Sequence, residues 1–151
     1  NKLNTAIENL IADGYNVIYT TSFGHGKYTK EIAKKYPNIY FGHATGGEFT
    51  SNMTTYMGRI EEPKYLAGIV AGMKTKTNKI GFVAAHQNSE VIRGINAFTL
   101  GVKSVNPDAT VYVSWTNTWY DPAKEKQAAQ SLLNSGCDVL AQHQDSTAAQ
   151  V

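Results

Sequence analysis

The feature that most constrains the fold of this chain is a regular alternation of strand and helix patterns. Short β-branched and aromatic runs, which favour strands, are separated by segments whose apolar residues recur at helical spacing. Such alternation is typical of parallel sheets joined by right-handed crossovers, so we predict an α/β fold. The predicted strands are 16–21, 39–43, 79–85, 110–115 and 139–143, with a possible strand at 53–60. The predicted helices are 1–13, 28–36, 62–74, 90–104 (capped by Ser89), 122–134 and the first turn of another at 146–151.

One stretch, residues 109–130, joins a strand, a polar and aromatic loop, and a helix start. Asp121 offers a capping oxygen to free backbone amides, and Pro122 suits the first helical position, where no amide is needed. Asn117 and Trp119 lie in the loop at the carboxyl end of the strand, where open α/β sheets bind ligands. We expect an exposed Trp119 ring there, and a large ring beside amide and hydroxyl groups suits a flat, polar-edged molecule such as a nucleobase.

Composition narrows the possible functions. The chain has 151 residues, 42% of them hydrophobic, which is typical of a globular protein, and its net charge of +2 is too small to favour nucleic-acid binding. Cys137 is the single cysteine, so no internal disulfide forms, and we expect a buried, inert thiol. The four histidines lack paired ligand spacing, so no metal site is predicted. Nucleophile-elbow, dinucleotide and P-loop motifs are absent, and no apolar run approaches the length of a membrane span.

The ends of the sequence are unusual for an α/β domain. The pattern opens with a helix that no strand precedes and closes within a helix that delivers no strand. We therefore hypothesise an internal piece of a longer protein, with one α/β unit at 1–74 and another at 75–151. Each unit would leave sheet edges exposed, which predicts an edge-paired or swapped dimer of this chain.

Four motifs in order resemble the basic membrane lipoprotein (BMP) family, the solute-binding components of ABC importers similar to purine nucleoside receptors. They are SFG at 22–24, HATG at 43–46, YLAGIVAGMKTKTNKIGFV at 65–83 and NTWYDPAKEKQAA at 117–129. The resemblance implies two Rossmann-like lobes of a type I periplasmic-binding-protein fold, hinged around a cleft that holds a purine. Residues 1–74 would be the second half of the amino-terminal lobe with its hinge helix, and 75–151 the first half of the carboxyl-terminal lobe. It also implies an extracytoplasmic lipoprotein or periplasmic protein that serves an ABC permease, without a cofactor and without catalysis.

The resemblance also implies a set of ligand-binding residues. By the family's pattern, an aromatic ring at the position of Trp119 stacks on the base, and Phe23 is its candidate counterpart in the other lobe. Polar groups at the same strand ends would read the edge of the base, namely those of Ser22, Gly24, Thr45, Gly46, Asn117, His143, Gln144 and Asp145. Nucleoside-binding members have an acidic residue after the second strand, whereas this chain has the HATG motif there. The chain therefore resembles the adenine-binding branch, and we predict a free purine base, adenine before guanine, with a nucleoside as the alternative.

Other interpretations of these residues stay open. Trp119 could be a core residue, Phe23 could pack within a lobe, and Trp115 is expected in the core or behind the site. A pairing of His143 with Asp145 could support acid–base chemistry, but alternate strand residues face opposite sides, so loop contacts are preferred for both. The rival functions are a purine- or nucleoside-processing enzyme on the same scaffold and a ligand-sensing domain of a receptor or regulator.

Overall fold

Two parallel three-stranded sheets form the framework of the computed structural model, which describes residues 2–151. The α/β prediction is confirmed. The helices are α1 (Lys2–Ala12), α2 (Gly26–Lys35), α3 (Glu61–Lys74), α4 (Ser89–Val105) and α5 (Pro122–Asn134). The strands are β1 (Val17–Thr20), β2 (Tyr40–Ala44), β3 (Met53–Tyr56), β4 (Lys79–Ala84), β5 (Thr110–Trp115) and β6 (Val139–His143). The chain divides into two compact units, residues 1–58 and 59–151, and each is described by itself.

The first unit is a sheet with one face covered by helices. Its strands lie in the order β1-β2-β3, all parallel. The covered face packs against α1 and α2 through a cluster of buried residues that includes Ile7, Ile18, Ile32, Phe41 and Met53. The opposite face leaves large side chains exposed, among them Val17, Tyr19, Tyr40 and Tyr56.

The second unit has helices on both faces of its sheet, as a parallel sheet requires. Its strands lie in the order β5-β4-β6, again all parallel. Helices α3 and α4 cover one face, where Phe82 and Phe98 meet edge to face with ring centroids 5.3 Å apart. Helix α5 covers the other face with Ala128, Ala129 and Leu132, and Cys137 is buried in the same cluster as predicted.

Helices α3 and α4 approach so closely that glycine is required at the contact. A Cβ atom on Gly101 would lie 2.0 Å from the Tyr65 carbonyl oxygen, and one on Gly68 would lie 2.0 Å from the Phe98 carbonyl oxygen. Helix α3 therefore belongs to the second unit, whose boundary falls before this helix. The sequence-based division at 74/75 placed the same helix with the first unit, because the strand pattern starts only after it.

Several element boundaries differ from the sequence-based prediction. The cap of α4 is Asn88, whose side-chain oxygen accepts from the Val91 amide at 3.0 Å, so Ser89 lies inside the helix. Residues 57–60 form no strand, and α2 begins at Gly26, directly after a 3₁₀ turn. Residues 146–151 contain a turn closed by Gln150 N–H donating to the Thr147 oxygen at 2.9 Å, and they are not helical.

Candidate functional site

Trp119 lies in the loop that connects β5 with α5. Its indole is half-buried and packs against the core of the second unit, which corrects the expectation of an exposed ring. The ring is flanked by two imidazoles, with centroids 5.3 Å away for His86 and 6.0 Å away for His143. The indole is therefore held in one orientation, as a stacking surface requires, while part of it remains accessible.

Hydrogen bonds join the Trp119 loop to the segment that follows β6. The Asp145 amide donates to the Trp119 carbonyl at 2.9 Å, and Gln144 Nε2 donates to Thr116 Oγ1 at 2.6 Å. The Asn117 amide donates to the Ala85 oxygen at 2.9 Å, which ties the same loop to the end of β4. The structure thus brings together Asn117, Trp119, Gln144 and Asp145. The Gln144 Oε1 atom is buried without a hydrogen-bond partner among the described residues.

His143 lies between the Trp119 indole and α4. Its Nε2 lies 3.6 Å from Glu90 Oε1, and both side chains are mostly buried, with 15% and 13% exposed. Burial, followed by the nearby charge of Lys64, lowers the pKa of His143. Burial raises the pKa of Glu90 and lowers that of Lys64, whose Nζ donates to the Gln142 carbonyl at 2.6 Å. The sequence predicted a loop contact for His143, and the structure places its ring between a carboxyl group and the Trp119 indole.

Backbone conformation marks the same strand ends in both units. Ser22, Thr45 and Asn117 have positive φ angles of 75°, 72° and 57°, each within two residues after a strand. Such angles are uncommon for residues other than glycine, cost about 1–3 kcal/mol each, and cluster at functional sites. Gly46 continues the second of these turns with a φ of 71°. Three of the four non-glycine residues with a positive φ among the described residues are therefore candidates from the sequence analysis, and the fourth is Asn78, which precedes β4.

The remaining candidates of the first unit lie in the turns after β1 and β2. Phe23 and Gly24 form an exposed 3₁₀ turn, in which the Phe23 side chain is 43% exposed. The Thr45 amide donates to the Tyr56 carbonyl at 2.9 Å, and Thr45 Oγ1 is buried without a partner among the described residues. Ser22, Phe23, Gly24, Thr45 and Gly46 thus share the carboxyl edge of one sheet.

The first carboxylate after the HATG motif, that of Glu48, forms an ion pair within the first unit. Glu48 Oε2 accepts from Lys30 Nζ at 2.6 Å, and this contact lowers the pKa of Glu48. The motif itself contributes His43, which is fully buried behind the turns.

Sequence reasoning missed Glu125, a fully buried carboxylate at the start of α5. Its Oε1 accepts from the Asp121 amide at 2.9 Å, and its Oε2 accepts from the Ser146 hydroxyl. Asp121 caps the helix as predicted, accepting from the Lys124 amide at 3.1 Å. The capping-box pattern gave no signal for this contact, because the position three residues after the cap is Lys124 and Glu125 comes one residue later.

The described residues lack both a metal-binding cluster and a membrane-spanning helix. Within residues 2–151, no group of three or more His, Cys, Asp or Glu side chains is placed to hold a metal ion. No helix in the same part of the chain combines the length and apolar character needed to cross a membrane.

Comparison with known proteins gives consistent family matches. The profile of the Bmp family, described as ABC transporter substrate-binding protein PnrA-like, matches residues 1–151. A Haloferax volcanii protein is 52% identical over 89% of this chain and 34% of its own length, and its name provisionally describes an ABC transporter glucose-binding protein. A purine-binding protein of Brucella abortus is 43% identical over 95% of this chain and 41% of its own length. The chain therefore spans well under half of these relatives.

A solved structure shares the fold. An ABC transporter solute-binding protein from Aeropyrum pernix superposes with a TM-score of 0.78 at 21% identity, covering 92% of this chain and 41% of that one. At this identity the match supports the fold alone. It agrees with the periplasmic-binding-protein-like architecture expected from the sequence motifs.

Proposed function

Because this chain belongs to the Bmp family of PnrA-like ABC transporter substrate-binding proteins, we propose that it binds a purine base for delivery to an ABC permease. Adenine is preferred over guanine, and a nucleoside is the alternative ligand. The protein acts outside the cytoplasm, anchored as a lipoprotein or free in the periplasm. It binds its ligand without catalysis. The transport role is favoured over the two rival functions, a sensing domain and a purine-processing enzyme.

The observation that supports a flat ligand best is the fixed Trp119 indole beside polar groups at the strand ends. A purine stacks on an indole through its whole ring, and donors and acceptors at its edge discriminate well because a wrong ligand leaves them unpaired. Gln144 Oε1 is a buried acceptor that lacks a partner among the described residues, next to the same loop. An exocyclic amino group of the kind adenine has would satisfy such an acceptor.

Closure around the ligand is the proposed mechanism. In the family's two-lobed architecture, a hinge closes the lobes over the bound molecule, and the permease recognises the closed form. Candidate residues in the first unit, led by Phe23, would then contact the second face of the base. This part of the proposal rests on the family resemblance.

A sugar is the competing ligand, since one relative's name describes glucose binding. Pyranose rings also stack on indoles, but sugar hydroxyls are best read by free carboxylates. In the first unit the carboxylate next after the HATG motif is Glu48, and it is paired with Lys30. The relative named for purine binding and the lack of an acidic residue in the motif itself therefore favour the base.

Replacing Trp119 with alanine should weaken adenine binding to the natural full-length protein by about 5- to 150-fold, the equivalent of about 1–3 kcal/mol of stacking. Isothermal titration calorimetry with adenine, guanine, adenosine and glucose measures both the loss and the preference. Trp119→Phe keeps a stacking ring and should retain most of the affinity. Trp115→Phe is the matched control, because Trp115 is the last residue of β5, directly before the loop. This variant should bind adenine as the wild type does.

Two results would count against the purine assignment. One is tight binding of glucose with no heat from adenine. The other is an unchanged adenine affinity in Trp119→Ala protein whose melting temperature shows that it is folded.

We also propose that the 151-residue chain pairs with a second copy along its open sheet edges. Within the described residues, the outer strands β1, β3, β5 and β6 each have one strand neighbour, and exposed edges favour pairing. Multi-angle light scattering of this chain should give the mass of a dimer. A monomeric mass across the micromolar range would reject the pairing.

A further inference from the structure

A chain of hydrogen bonds runs through the buried interior of the first unit. His43 Nδ1 lies 2.7 Å from Thr20 Oγ1, and Thr20 Oγ1 lies 3.0 Å from Thr29 Oγ1. Thr29 Oγ1 then donates to the His25 carbonyl oxygen at 3.1 Å. The His43, Thr20 and Thr29 side chains are all buried, so water does not replace these contacts.

The order of donors in this chain follows from its last member. A carbonyl oxygen only accepts, so the single hydroxyl proton of Thr29 is used on His25. Thr20 must then donate its own proton to Thr29, which leaves the Thr20 oxygen as an acceptor. The proton shared with His43 therefore belongs to the imidazole, and the ring is the Nδ1–H tautomer.

The opposite edge of the imidazole faces two glycines. A Cβ atom on Gly26 would lie 3.1 Å from His43 Nε2, and one on Gly46 would lie 3.7 Å from it. Nε2 is buried and has no hydrogen-bond partner among the described residues. The ring thus lies between the start of α2 and the turn after β2, and a proton on Nε2 would have no acceptor among the described residues.

We infer that His43 is a positioning residue that fixes the turns after β1 and β2 relative to each other, and that it does so only as the neutral Nδ1–H imidazole. One end of its hydrogen-bond chain reaches the carbonyl of His25, in the 3₁₀ turn that contains Phe23 and Gly24. Its other edge faces Gly46 in the turn after β2. The inference deepens the proposed function, because it states what fixes the turns that would contact the base.

Acid should therefore weaken this arrangement. Burial, followed by the charge of nearby His25, lowers the pKa of His43 below its ordinary value of 6.5. The unfolded state then takes up the proton first as the pH falls through about 6.5, so stability is present above that pH and is lost below it. Glu48 also lies near Gly26, and its carboxylate forms an ion pair with Lys30.

The direct test is the tautomer itself. Two-bond nitrogen–proton NMR correlations of the ¹⁵N-labelled full-length protein should show His43 as Nδ1–H at pH 7. Thr20→Val removes the acceptor and should abolish that preference. An Nε2–H tautomer or an imidazolium at pH 7 would overturn the inference, and this outcome is independent of whether adenine is the ligand.

The functional test compares two substitutions of similar size. His43→Asn keeps an N–H donor toward Thr20 and should bind adenine within about threefold of wild type, whereas His43→Leu should bind at least about tenfold more weakly. Wild-type affinity should fall between pH 7 and pH 5 more steeply than that of His43→Asn, whose amide does not titrate. Wild-type affinity in folded His43→Leu protein, or equal pH profiles for the wild type and His43→Asn, would also overturn the inference. If both variants fail to fold, the tautomer measurement decides.

Discussion

Gly101→Ala is expected to destabilise the second unit by about 3 kcal/mol or more, because the added methyl group meets backbone and not a movable side chain. The new Cβ would lie 2.0 Å from the Tyr65 carbonyl oxygen, so α3 and α4 would have to separate. Separation would expose the core around Phe98, which is 1% exposed in the native packing. Chemical denaturation followed by circular dichroism measures the loss.

A matched control lies on the same helix. A Cβ atom on Gly94 would have its nearest contact at 3.4 Å, from His143 Nδ1, which is an ordinary packing distance. Gly94→Ala should therefore be close to neutral, with up to about 1 kcal/mol gained from helix propensity. Equal stability of the Gly101 and Gly94 variants would show that the two helices do not pack through Gly101.

Glu125→Ala is the second large effect, with an expected cost of about 2–4 kcal/mol, because it leaves buried polar groups unpaired. The Asp121 amide loses its acceptor at the start of α5, and the Ser146 hydroxyl loses its acceptor in the segment after β6. The same substitution should increase hydrogen exchange at residues 144–148, since that segment loses its link to the helix. Thermal unfolding and exchange mass spectrometry test the two parts separately.

Glu125→Gln is the informative control for this site. The amide has the same shape, keeps one oxygen for the Asp121 amide, and can donate to the Ser146 oxygen. It should cost no more than about 1.5 kcal/mol, the net value of an ordinary hydrogen bond. A glutamine variant as unstable as the alanine variant would mean that the negative charge matters more than the hydrogen bonds.

The sequence predicted the order of strands and helices because both signals are local. The β-branched run before Trp115 is such a signal, and so is the Asp121–Pro122 helix start, which the structure confirms. The cap of α4 was misassigned by one residue because Asn88 and Ser89 are both good caps. Only the backbone conformation of Asn88, with a φ of −120° and a ψ of 170°, distinguishes them.

The parts of the site that the sequence did not reveal depend on contacts between distant residues. The hydrogen-bond partner of His43 is Thr20, 23 positions away, so no local pattern predicts a buried imidazole there. Trp119 was expected to be exposed because it follows a strand, yet His86 and His143 from two other strand ends enclose it. Burial of this kind is decided by the packing of β4, β5 and β6 side by side.

The hydrogen bond from the Asp145 amide to the Trp119 carbonyl has a consequence for how ligand preference changes in evolution and in design. It links the Trp119 loop to the segment after β6. The hydrogen bond between Ser146 and Glu125 links that segment in turn to the start of α5. A change in the orientation of the indole is therefore expected to shift the start of α5, and a change in the packing of α5 is expected to reorient the indole. Substitutions in α5 could therefore change the position of the indole without replacing any residue of its loop.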